Sequence, residues 1–268
     1  MKIKTLIITI VALGLAVIYL VPVIWMGLSS FMDEKDILAS KWIPSRVHLE
    51  NYKIVLHRAK ISRWFINSLI TASLGTLGVL GVGIFAGYSL GRMRYPGRRI
   101  LFFFALSGFM IPIQGIMIPL YLMIRKFGLV NNLLGLILPA WPSSLAVFVL
   151  SQFMREIPIE YEEAARMDGA NEFQILFKVI LPMSLPAIIT VTVFHFTAIW
   201  NDFLWPLIIM TSDDMYTLPV GLVTLAGSDV NIRYGPIMAA NVIASLPIII
   251  VYAFFQRYLA RGFIMEVK

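Results

Sequence analysis

Six apolar runs set the terms for this chain. They fall at residues 4–29, 66–91, 100–124, 133–154, 183–210 and 239–258. Each is long enough for the roughly 20 residues that a helix needs to cross the hydrocarbon core of a bilayer. The chain is 59% hydrophobic and 14% charged, whereas a soluble domain carries about 25% charged residues. These features predict an all-α, polytopic integral membrane protein with six transmembrane helices, organised as a single domain over 1–268.

The runs differ in character. The first follows Lys2 and Lys4 and is too long for the apolar core of a signal peptide, about 7–15 residues. It also lacks a small-residue cleavage site, so it reads as an uncleaved span. In residues 31–65, Trp42, Tyr52 and Trp64 suit a membrane–water interface, and 49–61 suits a short surface helix. The second run repeats glycine at 75, 78, 81, 83 and 87, which lets helices approach closely in lipid. Pro112 and Pro119 interrupt the third run, Pro139 and Pro142 the fourth; transmembrane helices tolerate such prolines where neighbours satisfy the freed carbonyls. Residues 211–238 read as a polar loop. Arg92, Arg94, Arg98 and Arg99 stand together without an acid, a signal for the cytoplasmic side. The termini, the 92–99 loop and residues 156–182 are expected there.

One polar stretch interrupts the pattern, at 156–182. Pro158 suits the first turn of a helix. Glu160, Glu162 and Glu163 follow, where the helix dipole favours negative charge. Gly169 suits a left-handed cap, giving a helix over 158–168. Asn171 and Gln174 form a capping-box pattern for a second helix, with Phe173, Leu176, Phe177 and Ile180 on one face. The expected product is a helix–turn–helix elbow on the membrane surface, with acidic and small residues outward.

No phosphate loop, zinc helix or nucleophile turn is present. The absence of cysteine removes disulfides and thiolate metal sites. The net charge of +7 reflects membrane topology, and no basic soluble domain offers a nucleic-acid surface. The acids of the elbow read as a solvated helix face. General acid–base work needs a positioned, perturbed group instead.

The elbow also carries a resemblance. Glu163-Ala164-Ala165, three further residues, Gly169, and then Leu181-Pro182 resemble the EAA motif of ABC-transporter permease subunits. Val179 stands where that pattern usually has isoleucine. Arg63-Trp64-Phe65-Ile66-Asn67-Ser68, Tyr95-Pro96-Gly97, Ile118-Pro119-Leu120-Tyr121, Trp200-Asn201-Asp202 and Gln256-Arg257-Tyr258 extend the likeness over nearly the whole chain. Together they are similar to the carbohydrate-importer branch, and within it to the shorter maltose-type permease subunit. The tail, Phe263-Ile264-Met265-Glu266, departs from the small residues that relatives often carry.

The resemblance implies a coupling helix docked in a groove of a cytoplasmic ATPase. Glu163 would meet a basic residue of that partner. Ala164 and Ala165 would allow close approach, and Gly169 would set the angle between the two helices. Asp168, Leu181 and Pro182 complete the coupling set. The implied partners are a second homologous permease, an ATPase dimer, an extracytoplasmic solute-binding protein and membrane lipid. ATP and Mg would be bound by the ATPase, and no cofactor by this chain.

Candidate pathway residues are Gln114, His195, Trp200, Asn201, Asp202 and Asn241. A carboxylate in lipid is costly, so Asp202 should face a cavity, a partner or the interface. His195 suits an interhelical hydrogen bond. Trp200 and Trp205 suit either sugar stacking or an aromatic belt. Three rivals make separate demands. A secondary transporter or channel needs inverted repeats and paired intramembrane charges. A membrane enzyme needs Glu160, Glu162, Glu163 or Asp168 clustered with a metal or histidine. A scaffold would tolerate loss of Ala164 and Gly169.

Overall fold

The computed structural model describes residues 2–58, 60–227 and 233–265, and all regular structure among them is helical. Three helices are long and apolar enough to cross a membrane, and six spans result when each of three bent helix pairs counts as one. Asp229, residues 266–268 and the tail side chains from Tyr258 onward lie outside the description.

The chain divides into two compact units. The first comprises Met1–Phe65 and Leu218–Pro247. It begins with α1, Lys2–Ser29, whose side chains from Lys4 to Ile24 are all exposed. Two short helices follow, α2 at Glu34–Leu38 and α3 at Glu50–Arg58, so the expected surface helix is present. Polar contacts knot this unit together. Asn51 Nδ2 donates to the carbonyls of Ser30 and Met32 at 3.0 and 2.8 Å. Asp36 is buried and accepts from Lys41 Nζ at 2.6 Å and from the Ser45 amide at 2.8 Å. Those bonds, the Lys41 one above all, pull its carboxyl from 3.8 down to about 2. Trp64 is not an interface residue: it is buried at the start of α4, Ile61–Gly91, with its ring against Gly221.

The second unit comprises Ile66–Thr217 and Ile248–Lys268. Most of α4 belongs here. The third apolar run is not one straight span. It breaks into α5, Arg98–Ser107, and α6, Ile113–Lys126, bent by 100°. The break falls where Pro112 has no amide to continue a helix and biases its predecessor toward extended backbone; Ile111 is extended, with ψ 110°. The fourth run divides into α7, Leu134–Ala140, and α8, Ser144–Glu156, with a 40° bend. Ser143 caps α8 through the Ala146 amide. At Gly91 a Cβ would lie 2.7 Å from the Ser151 carbonyl oxygen, so glycine is required where α4 meets α8.

After the elbow, α12 runs over Leu185–Trp200, and residues 201–203 separate it from α13, Leu204–Ile209. The expected fifth run, 183–210, is therefore interrupted. The polar loop expected at 211–238 contains a helix, α14, Leu218–Gly227, in the first unit. The final helix, α15, Tyr234–Met265, is longer than its apolar run. The core of the second unit joins Val79 and Tyr88 of α4, Leu150 and Met154 of α8, and Ile175, Leu176, Ile180 and Val191.

Candidate functional site: the elbow and an apolar cleft

The elbow is built by local rules. Its first helix, α9, spans Glu160–Met167, so Pro158 precedes the helix rather than opening its first turn. Ile157, at ψ 127°, ends α8 in extended backbone and turns the chain. At the other end Gly169 takes φ +84°, the left-handed region glycine favours. The Gly169 amide donates to Arg166 O at 3.0 Å and the Ala170 amide to Ala165 O at 2.9 Å, the two bonds of a Schellman turn. Asn171 and Gln174 then exchange side-chain-to-backbone bonds, both 2.9 Å, and open α10, Glu172–Ile175. The turn between α9 and α10 is thus closed by its own residues.

Two expectations need correction. The apolar face of the second helix is Ile175, Leu176 and Ile180, all buried, whereas Phe173 and Phe177 are 67% and 48% exposed. A π-turn at Leu176–Ile180 adds a residue to the helical turn and so shifts the face away from a 3.6-residue period. α11, Leu181–Met183, and the Ser184 break then lead into α12. The second correction is Glu162. It is not part of a solvated face; its side chain is 2% exposed and its Oε1 accepts from Arg92 Nε at 2.6 Å. Arg92, one of the arginines read as a signal for the cytoplasmic side, is only 5% exposed. Its Nη1 donates to the carbonyls of Met154, at 3.1 Å, and Ile157, at 2.5 Å.

Further out, Arg166 Nη2 donates to Glu172 Oε1 at 2.7 Å, and Tyr88 Oη donates to Glu172 Oε2 at 2.7 Å. The Glu172 bond holds the Arg166 guanidinium proton above its ordinary range. Glu163, Ala164, Asp168 and Gly169 stand exposed on the other side, beside Met167 at 89% exposure. Ala165 instead packs against the core. Leu181 is half-buried and Pro182 exposed, beyond the π-turn.

A second site is a cleft of about 1210 Å³ in the same unit, walled mainly by apolar side chains of α6, α8 and their neighbours. Of the candidate pathway residues, His195 and Asp202 line it. His195 is buried, with Nδ1 2.9 Å from Val191 O and Nε2 2.7 Å from Ser143 Oγ. One tautomer satisfies this arrangement: Nδ1–H donates to the carbonyl, and Nε2 accepts the serine proton. Asp202 lies just before α13, beside the amides of Phe203, Leu204 and Trp205.

The other candidates lie elsewhere. Gln114 is exposed on the first turn of α6 and does not line the cleft, whereas its neighbours Ile111, Ile113 and Ile116 do. Trp200 is buried and stacked on Phe196 at 5.9 Å, so it presents no free face to a sugar. Trp205 is also a core residue, donating to Gly135 O at 3.1 Å. Asn201 is exposed at the end of α12, and Asn241 belongs to the first unit. Sequence reasoning missed Ser143 as the partner of His195 and the Arg92–Glu162 pair. The local hint for Glu162 was its four-residue spacing from Arg166 on one helix face.

Comparison with known proteins defines the class. Residues 79–265 match the family described as "Binding-protein-dependent transport system inner membrane component". The chain belongs to that family: it is a permease component of a membrane transport system, not an enzyme. It is 36% identical over 249 residues to the diacetylchitobiose uptake system permease protein NgcG of Streptomyces coelicolor, covering 91% of this chain and 82% of that one. It is 33% identical over 263 residues to the trehalose/maltose transport system permease protein MalG of Thermococcus litoralis, covering 97% and 95%. A crystal structure of a bacterial ABC transporter involved in the import of the acidic polysaccharide alginate contains a chain of the same fold. Its TM-score is 0.84 at 27% identity, over 94% of this chain and 95% of that chain.

Proposed function

We propose that this chain passes a sugar or related polyol across the membrane as one permease subunit of an ATP-driven importer. Supply of the solute falls to an extracytoplasmic binding protein, and energy to a separate ATPase dimer that binds ATP and Mg. A second, related permease completes the pathway. The observation that carries the reading is the exposed turn at Glu163, Ala164, Asp168 and Gly169 on a closed, self-capped elbow. An element that transmits motion to a partner must expose a docking surface and resist deformation; the exposed residues and the capping bonds of the turn support that role. Ala165 supports it from within, packed on the core; Leu181 and Pro182 follow the π-turn, half-buried and exposed. The relatives named for diacetylchitobiose and for trehalose/maltose support a carbohydrate.

The coupling elbow belongs on the cytoplasmic face with the 92–99 loop and both termini. The arginine cluster of the 92–99 loop supports that orientation, and the Arg92–Glu162 contact supports one face for loop and elbow. His195 and Asp202 are the pathway candidates that the cleft supports.

Co-purification from native membranes tests the reading, with bound ATPase scored by mass and by ATP turnover. Wild type is expected to bring down an ATPase, and Glu163→Lys and Gly169→Pro to shed it or uncouple its turnover. A wild-type chain that purifies alone, moves solute on an ion gradient and ignores both substitutions would establish the secondary-transporter rival.

A further inference from the structure

A coupling element needs more than a docking surface. It must hold a fixed orientation relative to the spans it moves. The elbow's outer face is closed by local turns, but local turns do not orient it against α4. Beside the apolar core that Ile175, Leu176 and Ile180 share with Val79 and Tyr88 of α4, one buried guanidinium supplies a directional contact. Arg92 follows α4 directly, and its side chain turns back under the elbow. Nε meets Glu162 on α9, while Nη1 meets the carbonyls of Met154, on the last turns of α8, and Ile157, in the link to α9. One planar group therefore joins three consecutive parts of the chain to the end of a fourth.

Arginine suits this task because its donors are fixed in a fork and remain charged. A lysine would offer one point charge and could not hold the same set of acceptors in one plane. The carbonyls served are also those that a helix C-terminus leaves unsatisfied, so the contact closes α8 while it fixes α9. A second strand of contacts runs alongside: Tyr88, also near the end of α4, donates to Glu172, which accepts from Arg166 of α9. Close backbone contact at Gly87 and Gly91 with Leu150 and Ser151 brings α4 and α8 within reach of this network.

We propose that Arg92 and Glu162 are positioning residues: a buried clamp that makes the elbow and the inner end of α4 move as one body. The proposal rests on the coupling function for its consequence, but not for its geometry. Loss of the clamp leaves the exposed turn intact, so an ATPase still docks while its strokes are poorly transmitted.

The chain has no cysteine, so label pairs can be placed cleanly. Spin labels at Leu77→Cys on α4 and Met167→Cys at the elbow tip occupy exposed positions, 62% and 89% exposed. The unsubstituted clamp is expected to give one narrow distance distribution. Glu162→Gln and Arg92→Gln are expected to broaden it about twofold, as local opening replaces a buried charge-assisted contact. Where a single change prevents folding, Arg92→Met combined with Glu162→Met removes both charges and fills the space with apolar groups. That variant is expected to fold and still to show the broad distribution. In the complex purified from native membranes, the same variants retain the ATPase and raise its ATP turnover without solute severalfold.

An equally narrow distribution in the variants overturns the clamp, whatever the ATPase does. Shedding of the ATPase by Glu162→Gln at unchanged distribution also overturns it, since Glu162 then belongs to the docking surface. Absence of an ATPase from the unsubstituted chain removes the coupling reading alone, and the distance measurement still decides the clamp.

Discussion

The elbow and the apolar cleft each bury a polar pair in the same unit, yet the pairs are of different kinds. At the elbow Arg92 and Glu162 bury opposite charges. At the cleft Ser143 and His195 bury a hydrogen bond that one neutral tautomer satisfies. A charged pair out of water is tolerable only when both partners and further hydrogen bonds are present. A neutral pair risks only its own desolvation. The charged pair thus sits where geometry must be fixed, and the neutral pair where an apolar wall must stay continuous.

That contrast can be broken by single substitutions, beginning with the largest effect. Arg92→Ala removes the hydrogen-bond donor to the buried Glu162 carboxylate, which keeps only Arg166 at 3.8 Å, and the side-chain donor to the carbonyls of Met154 and Ile157. A loss of about 3–5 kcal/mol is expected, read as a shift in the unfolding midpoint of the detergent-solubilised protein. His195→Ala takes the acceptor from the Ser143 hydroxyl proton, while the oxygen keeps the Ala146 amide, and about 1–3 kcal/mol is expected by the same measurement. Equal losses at the two sites would abolish the distinction between them. Gly169→Ala tests whether the turn needs its left-handed residue; at φ +84° a cost of about 1–2 kcal/mol is expected. A neutral outcome would mean that the elbow's local closure is dispensable.

The smallest effect is expected at Asp36, a charge pair whose cationic partner, Lys41, is half exposed to solvent. Its carboxyl is depressed to about 2 from 3.8. A depressed acid stabilises the folded state above its unfolded value and loses that contribution as pH falls through the folded one. Acid titration of unfolding should therefore show a contribution that fades between pH 3.8 and 2, and Asp36→Asn should remove it. An Asp36→Asn chain with an unaltered acid limb would show that the pair contributes nothing to stability, and solvent screening would then be complete.

Legibility followed the range of the interactions. The Schellman turn at Gly169 and the capping box at Asn171 could be read in advance because each involves residues within about six positions. The 100° break at Pro112 was only half legible. Proline marks an interruption, but its angle depends on what packs around α5 and α6. Phe173 and Phe177 were misassigned because a π-turn changes the period on which face assignment rests. Glu162 looked like its neighbours Glu160 and Glu163. The spacing from Arg166 is the one local hint that sets it apart, and its buried partner lies seventy positions away. Trp200 had the composition of a sugar platform, but stacking on Phe196 committed its face to the core.

By itself the sequence determined that the chain lives in a membrane, that it is helical, and that a polar elbow with closed ends interrupts its apolar runs. Those features depend on composition, hydropathy and turn chemistry, which are properties of short stretches. Only the tertiary structure decided which of several identical acids is buried, which of several polar residues lines the cleft, and where apolar runs bend. A side chain's burial and partners are set by segments distant in the chain, and the desolvation that makes those partners matter exists only once the segments have come together.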